Sequence, residues 1–364
     1  MRIWIDLANS PHVPFFSALT KELAARGHEI EITARDFAET VALARAAGLR
    51  AEVIGEHGGR SLIGKTANLI RRALALRRWA KRRSLDLAVS HNSYTQILAA
   101  WTLGLKTVTL MDYEHQPANH LAFRLASRIV VPSVFPEEAL TRYGARSQKV
   151  SRYNGTKEDV YLADFARDPS FANKLRELGV SEADVLVTIR PPARDALYHR
   201  FENELFDELL RRLSDRPEVK IVLLPRRASG QYHNSVALGP GQNRNAVASG
   251  SGQNRNAVAS GSANQRLIVP VEPLDGPNLI AASDLVISAG GTMNREAAAL
   301  GIPAATIYAG QWAAIDEALV REGRLMRVQT RADLDTLPIK KKDNVSPRGA
   351  THVRHHVADF ILEE

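Results

Sequence analysis

The chain has 364 residues, 45% of them hydrophobic and 24% charged, which is typical of a folded globular protein and excludes a disordered or fibrous one. A chain of this length supports two domains of ordinary size, each with its own core. It contains no cysteine, which excludes disulfides, thiolate nucleophiles and cysteine-based zinc sites.

The formal net charge of +8 is concentrated in one segment. Residues 60–83 contain nine Lys or Arg and no Asp or Glu, so subtracting nine from +8 leaves −1 for the rest of the chain. Such a stripe indicates a local anionic partner, which would be phosphate, anionic lipid or nucleic acid. The chain begins with an apolar run, residues 2–7, rather than a basic leader and a long apolar segment, so we expect no secretory signal and a cytoplasmic protein.

The first half of the chain alternates short apolar runs with segments of helical spacing. The runs predict strands over 2–7, 29–33, 51–54, 86–90, 107–111 and 128–132. The spacing predicts helices over 15–26, 37–47, 94–103 and 119–127. Strands that alternate with helices predict a parallel α/β sheet.

A second series follows the polar stretch after Tyr153-Asn154-Gly155. It predicts strands over 184–189, 220–225, 267–269, 285–288 and 304–308 and helices over 169–178, 201–213, 279–282, 295–300 and 352–362. We therefore expect a two-domain α/β protein, with the first domain at 1–158 and the second at 159–349.

An eleven-residue unit occurs in two identical tandem copies, Gly241 to Ser251 and Gly252 to Ser262. The unit is rich in Gly, Asn and Ser and has little to bury, and a solenoid needs more repeats. We expect a flexible insertion, 236–264, in a surface loop of the second domain.

The strongest local pattern is the segment 285–303, an apolar strand followed by a Gly-Gly-Thr turn and a helix. The helix N-terminus presents unpaired N–H groups, and the glycines let a diphosphate approach the backbone. We expect the turn to hold the diphosphate, and Glu296, one turn further, to accept ribose hydroxyls. The predicted turn residues are Ser288, Gly290, Gly291 and Thr292. The alternative is an ordinary strand-to-helix turn.

Polar and titratable side chains follow several strands of the first domain. Asn9 and His12 lie just beyond the first strand, where an α/β sheet presents its ligands. His91, Asp112 and Glu114 follow two later strands. We expect His12, Asp112 and Glu114 to transfer protons, and Asn9 and His91 to contact an acceptor or phosphate. The alternative is that these side chains only cap loops and helix ends.

Cationic residues supply further phosphate candidates. Arg60 and Lys65 lie in a second Gly-rich turn, which is not a P-loop because no apolar strand runs into it. Arg190 and Arg226 follow predicted strands of the second domain, and Arg190 is the stronger donor-site candidate. Guanidinium groups could neutralise a leaving nucleotide without a metal, and no metal-binding motif is present, so we expect neither metal nor other cofactor.

The basic helix of residues 64–83 has two contrasting arcs. The apolar arc contains Leu69, Ile70, Ala73, Leu74 and Leu76, and the basic arc contains Arg71, Arg72, Arg78 and Arg82. The helix either lies on an anionic bilayer or packs in the protein with a solvated charged face. Nucleic acid is a weaker option because no aromatic stacking platform accompanies the stripe.

The donor segment resembles known nucleotide-sugar enzymes. The turn Ser288-Ala-Gly-Gly-Thr, followed by Glu296 and Gly301-Ile302-Pro303, is similar to the donor site of GT-B glycosyltransferases and of UDP-N-acetylglucosamine 2-epimerase. Residues 4–14, 57–65 and 112–115 resemble an uncharacterised prokaryotic family of unknown function related to those enzymes. The resemblance implies two Rossmann-like domains facing each other across a cleft, the GT-B type, with the last helix, 350–364, rejoining the first domain.

The comparison with the epimerase separates two activities. Ser93 stands where the epimerase has an Asp, and Pro117 is followed by Ala118 and Asn119 where the epimerase has two Glu. Loss of these acids favours a metal-independent glycosyltransferase with a UDP-sugar donor. Open alternatives are an epimerase or hydrolase and a non-catalytic nucleotide-sugar or membrane-surface protein. The partners expected are the donor, a lipid-linked or cell-envelope acceptor and anionic lipid at the inner membrane face, but no nucleic acid.

Overall fold

The computed structural model of the chain describes residues 1–55, 62–192, 200–224, 266–343 and 345–363. In the helices that start at Leu62 and Arg200, side chains are described from Asn68 and Glu204 onward. Arg60, Arg226, the tandem repeat and the side chain of Lys65 lie outside the described residues.

The chain divides into two compact units. Unit 1 consists of Met1–Phe165, Gln311–Arg321 and Arg348–Glu364, and unit 2 consists of Ala166–Gly310 and Glu322–Pro347. Each unit contains one sheet in which all strand pairs are parallel. The predicted α/β class is therefore confirmed for both units.

Unit 1 has a seven-stranded sheet of order β3-β2-β1-β4-β5-β6-β7. Its strands are β1 (Arg2–Leu7), β2 (Glu29–Ala34), β3 (Ala51–Val53), β4 (Leu87–Ser90), β5 (Lys106–Leu110), β6 (Arg128–Pro132) and β7 (Val150–Tyr153). The strand order reverses between β1 and β4. At such a switch point the connecting helices leave toward opposite faces, which opens a crevice outside the carboxyl ends of the two strands.

Nine α-helices are described in unit 1. They are α1 (His12–Ala25), α2 (Thr40–Ala46), α3 (Leu62–Lys81), α4 (Tyr94–Trp101), α5 (Asn119–Leu125), α6 (Glu137–Arg142), α7 (Lys157–Leu162), α12 (Ala314–Arg321) and α13 (Thr351–Leu362). The apolar face of α1, with Phe16, Leu19 and Leu23, shares a core with β1 and with Val357 and Ile361 of α13. The final helix thus completes the core of unit 1.

Unit 2 has a six-stranded sheet of order β10-β9-β8-β11-β12-β13. Its strands are β8 (Val185–Arg190), β9 (Val219–Leu223), β10 (Leu267–Ile268), β11 (Leu285–Ser288), β12 (Ala304–Thr306) and β13 (Met326–Arg327), and its described α-helices are α8 (Phe171–Glu177), α9 (Arg200–Ser214), α10 (Gly276–Ala282) and α11 (Gly291–Leu300). Here the order reverses between β8 and β11. The segment singled out in the sequence therefore borders the switch point of its sheet.

Two differences from the predicted elements affect the site. Helix α11 begins at Gly291, four residues before the predicted start at 295, so the Gly-Gly-Thr turn forms the first turn of the helix itself. Strand β7, which the sequence does not predict, ends where the polar stretch begins, and helix α7 lies inside that stretch. Apolar periodicity marks the buried middle of an element and misses polar helix starts.

A further observation concerns membranes. Within the described residues, no helix combines the length and the apolar composition needed to cross a bilayer.

Candidate functional site

The carboxyl edge of the unit 1 sheet brings three predicted residues together. His12 begins α1 just after β1, His91 follows β4, and Asp112 follows β5. The rings of His12 and His91 have centroids 4.8 Å apart, and His91 Nε2 lies 3.4 Å from Asp112 Oδ1. All three side chains are buried.

Two residues that the sequence did not single out complete this group. Lys157 and Glu158 open α7, directly beyond β7. Lys157 Nζ lies 3.1 Å from Asp112 Oδ2 and 3.7 Å from Glu158 Oε1. We refer to His12, His91, Asp112, Lys157 and Glu158 as the unit 1 cluster. A buried charge is costly unless another charge compensates it, so this cluster depends on its internal pairing.

A capping box holds Lys157 in place, and it is the sequence signal that could have revealed it. Thr156 Oγ1 accepts a hydrogen bond from Asp159 N at 3.2 Å, and Thr156 N donates to Asp159 Oδ2 at 2.7 Å. The pattern Thr-x-x-Asp marks a helix start. It places Lys157 and Glu158 at the same sheet edge as the other strand-end residues.

Burial dominates the electrostatics of His12. It holds the pKa of this imidazole well below its usual range, an effect that the neighbouring His91 and Lys157 increase and that Asp112 opposes. His12 is therefore neutral at pH 7. Its Nδ1 is buried and has no hydrogen-bond partner among the described residues. A neutral imidazole with a vacant ring nitrogen can accept a proton, which is the chemistry expected of a general base.

Asp6, the carboxylate nearest the switch point on β1, is occupied by structural contacts. Arg72 of α3 forms a bidentate pair with it and donates hydrogen bonds from Nη1 to Oδ2 at 3.0 Å and from Nη2 to Oδ1 at 2.8 Å. Thr33 Oγ1 and Ser93 Oγ also donate to Asp6. Ser93, which stands in place of an epimerase Asp, therefore donates a hydrogen bond to a buried carboxylate instead of supplying another one.

Glu114 contacts another segment of unit 1. Its Oε1 accepts a hydrogen bond from the backbone N–H of Ala314 at 2.6 Å, at the first residue of α12. His115 Nε2 lies 2.8 Å from the carbonyl oxygen of Trp312. In these contacts Glu114 caps a helix and, with His115, fixes the segment Gln311–Arg321 on unit 1. Asn9 is half-buried, and its carbonyl accepts the N–H of His12 at 3.0 Å.

In unit 2 the segment 285–303 forms a helix N-terminus at which the described residues place no side-chain cap. Gly290 is the N-cap of α11 and is in extended backbone, and Gly291 and Thr292 follow it half-buried. Ser288 Oγ accepts the N–H of Gly290 at 3.1 Å, and Asn294 Nδ2 donates to Ser288 O at 3.1 Å. These bonds shape the turn and leave the first amides of α11 for another acceptor.

A buried arginine lies against this turn. A Cβ added to Gly291 would sit 3.3 Å from the guanidinium carbon of Arg295, whose side chain is buried. Arg190, at the exposed end of β8, pairs in register with Ser288 across the switch point. The predicted Glu296 is half-buried in the second turn of α11. Positive charge and free amides thus converge on one strand end, a combination suited to an anion.

Where the structure describes the chain, no group of three or more His, Asp or Glu side chains is arranged to hold a metal ion.

Solved structures of similar shape define the fold class. UDP-GlcNAc 2-epimerase from Neisseria meningitidis, bound to UDP-GlcNAc, matches with a TM-score of 0.72 at 14% identity, covering 100% of both chains. The Methanocaldococcus jannaschii UDP-GlcNAc 2-epimerase, in complex with UDP-GlcNAc and UDP, matches with 0.69 at 13% identity over 98% of each chain. Acinetobacter baumannii MurG matches with 0.54 at 16% identity, covering 99% of this chain and 98% of that one. The protein has the GT-B fold, as predicted.

The family is shown by sequence. The chain belongs to the family described as "Protein of unknown function (DUF354)", whose model matches residues 1–235 and 254–343. The uncharacterized protein MJ0665 of Methanocaldococcus jannaschii is 26% identical over 364 residues, covering 99% of this chain and 96% of the relative. The resemblance inferred from the sequence motifs is confirmed at the level of family and fold.

Proposed function

We propose that this protein is a metal-independent glycosyltransferase that uses a nucleoside-diphosphate sugar, with UDP as the nucleotide. The observation that carries the proposal is the uncapped N-terminus of α11, backed by the buried Arg295 at the switch point of the unit 2 sheet. Helix N-termini at the switch points of parallel sheets bind phosphate groups, and a diphosphate carries two of them. The epimerases of similar fold were solved with UDP-GlcNAc or UDP, which supports the choice of nucleotide.

In this proposal unit 2 binds the donor. The amides of Gly290, Gly291 and Thr292 receive the diphosphate oxygens, and the guanidinium groups of Arg190 and Arg295 supply positive charge. Glu296 accepts hydrogen bonds from the ribose hydroxyls. Because these groups stabilise the negative charge that builds up on the leaving diphosphate, they perform the role that a divalent cation would otherwise perform.

The unit 1 cluster supplies the base. His12 takes the proton of the acceptor hydroxyl while that oxygen forms a bond to the anomeric carbon and the bond from this carbon to the diphosphate oxygen breaks. The proton remains on His12, and the electron pair leaves with the nucleoside diphosphate. Asp112 favours the imidazolium that results, because it is the carboxylate that raises the pKa of His12. Asn9 and His91 contact the acceptor.

An epimerase or hydrolase of the same donor is the rival activity. Its reaction needs carboxylates at strand ends to move protons on the sugar. Ser93, which stands where the epimerase has an Asp, contacts the buried Asp6, and Glu114, a predicted proton-transfer residue, caps α12, so both positions are engaged in structural contacts. These contacts favour transfer to an acceptor, for which we propose a lipid-linked or cell-envelope molecule.

Thermal-shift measurements with a panel of nucleoside diphosphates and their sugars, with and without EDTA, test the donor site. We expect UDP and a UDP-sugar to raise Tm in the presence of EDTA. Gly291→Ala should reduce the shift, because its Cβ would lie 3.3 Å from the guanidinium carbon of Arg295 and would move that group from its place beside the turn. Gly276→Ala is a matched control, since a Cβ there has nothing within 4 Å. A panel without any shift would overturn the proposal.

Product analysis with the best donor separates the activities. We expect slow or no turnover of the donor alone and faster release of UDP once extracted lipid-linked acceptors are added. Epimerised or hydrolysed sugar without acceptor would instead establish the rival activity. A ligand that shifts Tm and is never consumed under any condition would establish a binding protein.

A further inference from the structure

The face of α3 that is buried in the structure differs from the apolar arc that its sequence pattern predicts. Arg72, from the basic arc, is buried against Asp6, and the same face buries Leu76 and Trp79 against β1 and α4. Ile70 and Leu74, from the apolar arc, are 54% and 48% exposed. The buried carboxylate explains this orientation, because it needs a cation from the nearest helix. Two members of the apolar arc, Ile70 and Leu74, are therefore left on the surface, while Leu76 of the same arc is buried.

The exposed apolar side chains are concentrated in one place. Between α3 and α4 lies a shallow depression of about 140 Å³, lined by Leu69, Ile70, Leu74 and Leu98 among others. Trp101, 57% exposed, lies one turn beyond Leu98 on α4. Three of the seven large hydrophobic side chains exposed in the described chain are thus Ile70, Leu74 and Trp101. We call these three residues the α3–α4 patch.

Cations surround this patch without acidic partners. The relevant side chains are Arg71, Arg77, Arg78, Lys81 and Arg82, and none of them forms an ion pair with a described residue. By contrast, Arg72 and Arg83 are paired with acids, Asp6 and Glu52 respectively. Arg77 also lines the depression itself. An apolar surface bordered by five cations that have no acidic partner among the described residues differs from the solvated charged face of an ordinary helix.

We propose that the α3–α4 patch docks on the surface of an anionic phospholipid bilayer. Its apolar side chains would enter the boundary between headgroups and acyl chains while the surrounding cations contact lipid phosphates. A second copy of the chain is a poor occupant, because a twofold interface here would bring five cations against five. Nucleic acid would use the cations but has no need of the exposed Ile70 and Leu74.

This inference goes beyond the proposed function. Docking would bring unit 1 to a lipid-linked acceptor, and that consequence rests on the proposed transferase activity. Binding to vesicles requires no nucleotide, and the Tm shift with UDP requires no lipid. The two proposals can therefore fail separately.

Flotation of the full chain with vesicles tests the docking. We expect binding to vesicles of mixed phosphatidylglycerol and phosphatidylcholine, little binding to phosphatidylcholine alone, and loss of binding at high salt. Arg71→Gln with Arg78→Gln should weaken binding by about 25-fold, about fivefold for each charge. Ile70→Gln with Leu74→Gln should weaken it by at least about tenfold, since burial of both apolar side chains is lost.

Matched controls lie on α2 of the same unit. Leu43 is 41% exposed and Arg45 is exposed, so Leu43→Gln and Arg45→Gln change one apolar and one basic surface residue away from the patch. These variants should bind vesicles like the parent chain. Equal loss in controls and patch variants, or equal binding to neutral vesicles, would overturn the proposal.

Sedimentation and competition with DNA give the remaining outcomes. A dimer that Ile70→Gln and Leu74→Gln convert to a monomer, without vesicle binding by the parent chain, would assign the patch to self-association. Tight binding of duplex DNA that those two changes leave unaltered, again without vesicle binding, would assign the cations to nucleic acid. Either result would reject the membrane assignment.

Discussion

Lys157 is a buried charged residue at the carboxyl edge of the unit 1 sheet. The side chain is 5% exposed and lies between Asp112 and Glu158. Replacing such a group with apolar residues is often neutral or even stabilising, so pairing by itself contributes little reason to keep it there. Charged and titratable groups gathered at a switch point instead favour a chemical role.

The titration of His12 gives a prediction at this scale. The pKa of His12 is lowered in the folded chain. Below about pH 6.5, the usual pKa of histidine, the unfolded chain therefore binds a proton at this side chain that the folded chain does not bind. The free energy of unfolding should therefore fall as pH decreases in that range, by up to about 1.4 kcal/mol per pH unit from this group. Urea unfolding of the parent chain and of His12→Asn measures the difference, from about pH 7.5 to about pH 5.5, the range in which histidine titrates.

His356→Asn serves as the matched control, because it replaces an exposed histidine on α13 by the same residue. If His12→Asn retains the full slope of the parent chain, the imidazole of His12 is not the group responsible.

The assignment of Glu296 to the ribose is tested by calorimetry. Glu296→Ala should weaken binding of UDP by about 1–3 kcal/mol, the range expected for loss of a charge-assisted hydrogen bond. Glu182→Ala, an exposed change in the same unit, should leave the affinity unchanged. Equal affinity of the Glu296 variant and the parent chain contradicts the ribose role.

At the scale of secondary-structure elements, two short helices set the geometry of the site. Helix α7 has six residues, too few to be stable without tertiary contacts, and it depends on its capping box. Helix α11 begins at a glycine pair and ends at Gly301 in a left-handed conformation, where a Cβ would lie 2.4 Å from the backbone of Ser346. Both helices thus have ends that the sequence specifies, which positions their first turns relative to the strands.

The capping box provides the prediction for α7. Thr156→Ala removes the acceptor for Asp159 N and should lower the free energy of unfolding by about 0.5–2 kcal/mol. Thr156→Ser keeps the hydroxyl and should recover most of that loss. Chemical denaturation measures both variants. Identical stability of the alanine and serine variants argues against a stabilising cap at this position.

At the scale of the whole molecule, each unit repeats one design. A parallel sheet reverses its strand order once, and the polar and glycine-rich residues follow the strands on either side of that reversal. The chain passes between the units near residues 165, 310, 321 and 347, and its last segment returns to unit 1. Because α13 fills part of the unit 1 core, the terminal residues contribute to the stability of the domain that begins the chain.

Ile361 tests this dependence. Its side chain is fully buried in the unit 1 core, so Ile361→Ala should lower the free energy of unfolding by about 2–5 kcal/mol. His356→Ala, on the exposed side of the same helix, should change it little. Calorimetric unfolding of the two variants gives the comparison. A loss below about 0.5 kcal/mol for Ile361→Ala would contradict a structural role for α13 in unit 1.

The sequence by itself determined the α/β class and the strand, glycine turn and helix of the segment 285–303. Strand β11 is a continuous apolar run, as expected for a strand covered on both faces, and the Gly-Gly-Thr turn after it is a local pattern. His12, His91 and Asp112 could also be placed at one sheet edge, since the carboxyl ends of parallel strands lie along the same side. Each of these inferences depends on neighbours in sequence or on a rule that holds for all parallel sheets.

Only the tertiary structure decided which charged residues are buried and with whom. Arg72 lies 66 positions from Asp6 along the chain, and Lys157 reaches Asp112 from a helix that begins 45 positions later. Helical periodicity placed Arg72 on a solvated arc. Hydropathy alone carries no information about a buried carboxylate far away in the sequence that must be paired with a cation. This long-range electrostatic pairing sets the rotation of α3 about its own axis, and Ile70 and Leu74 therefore lie on the surface.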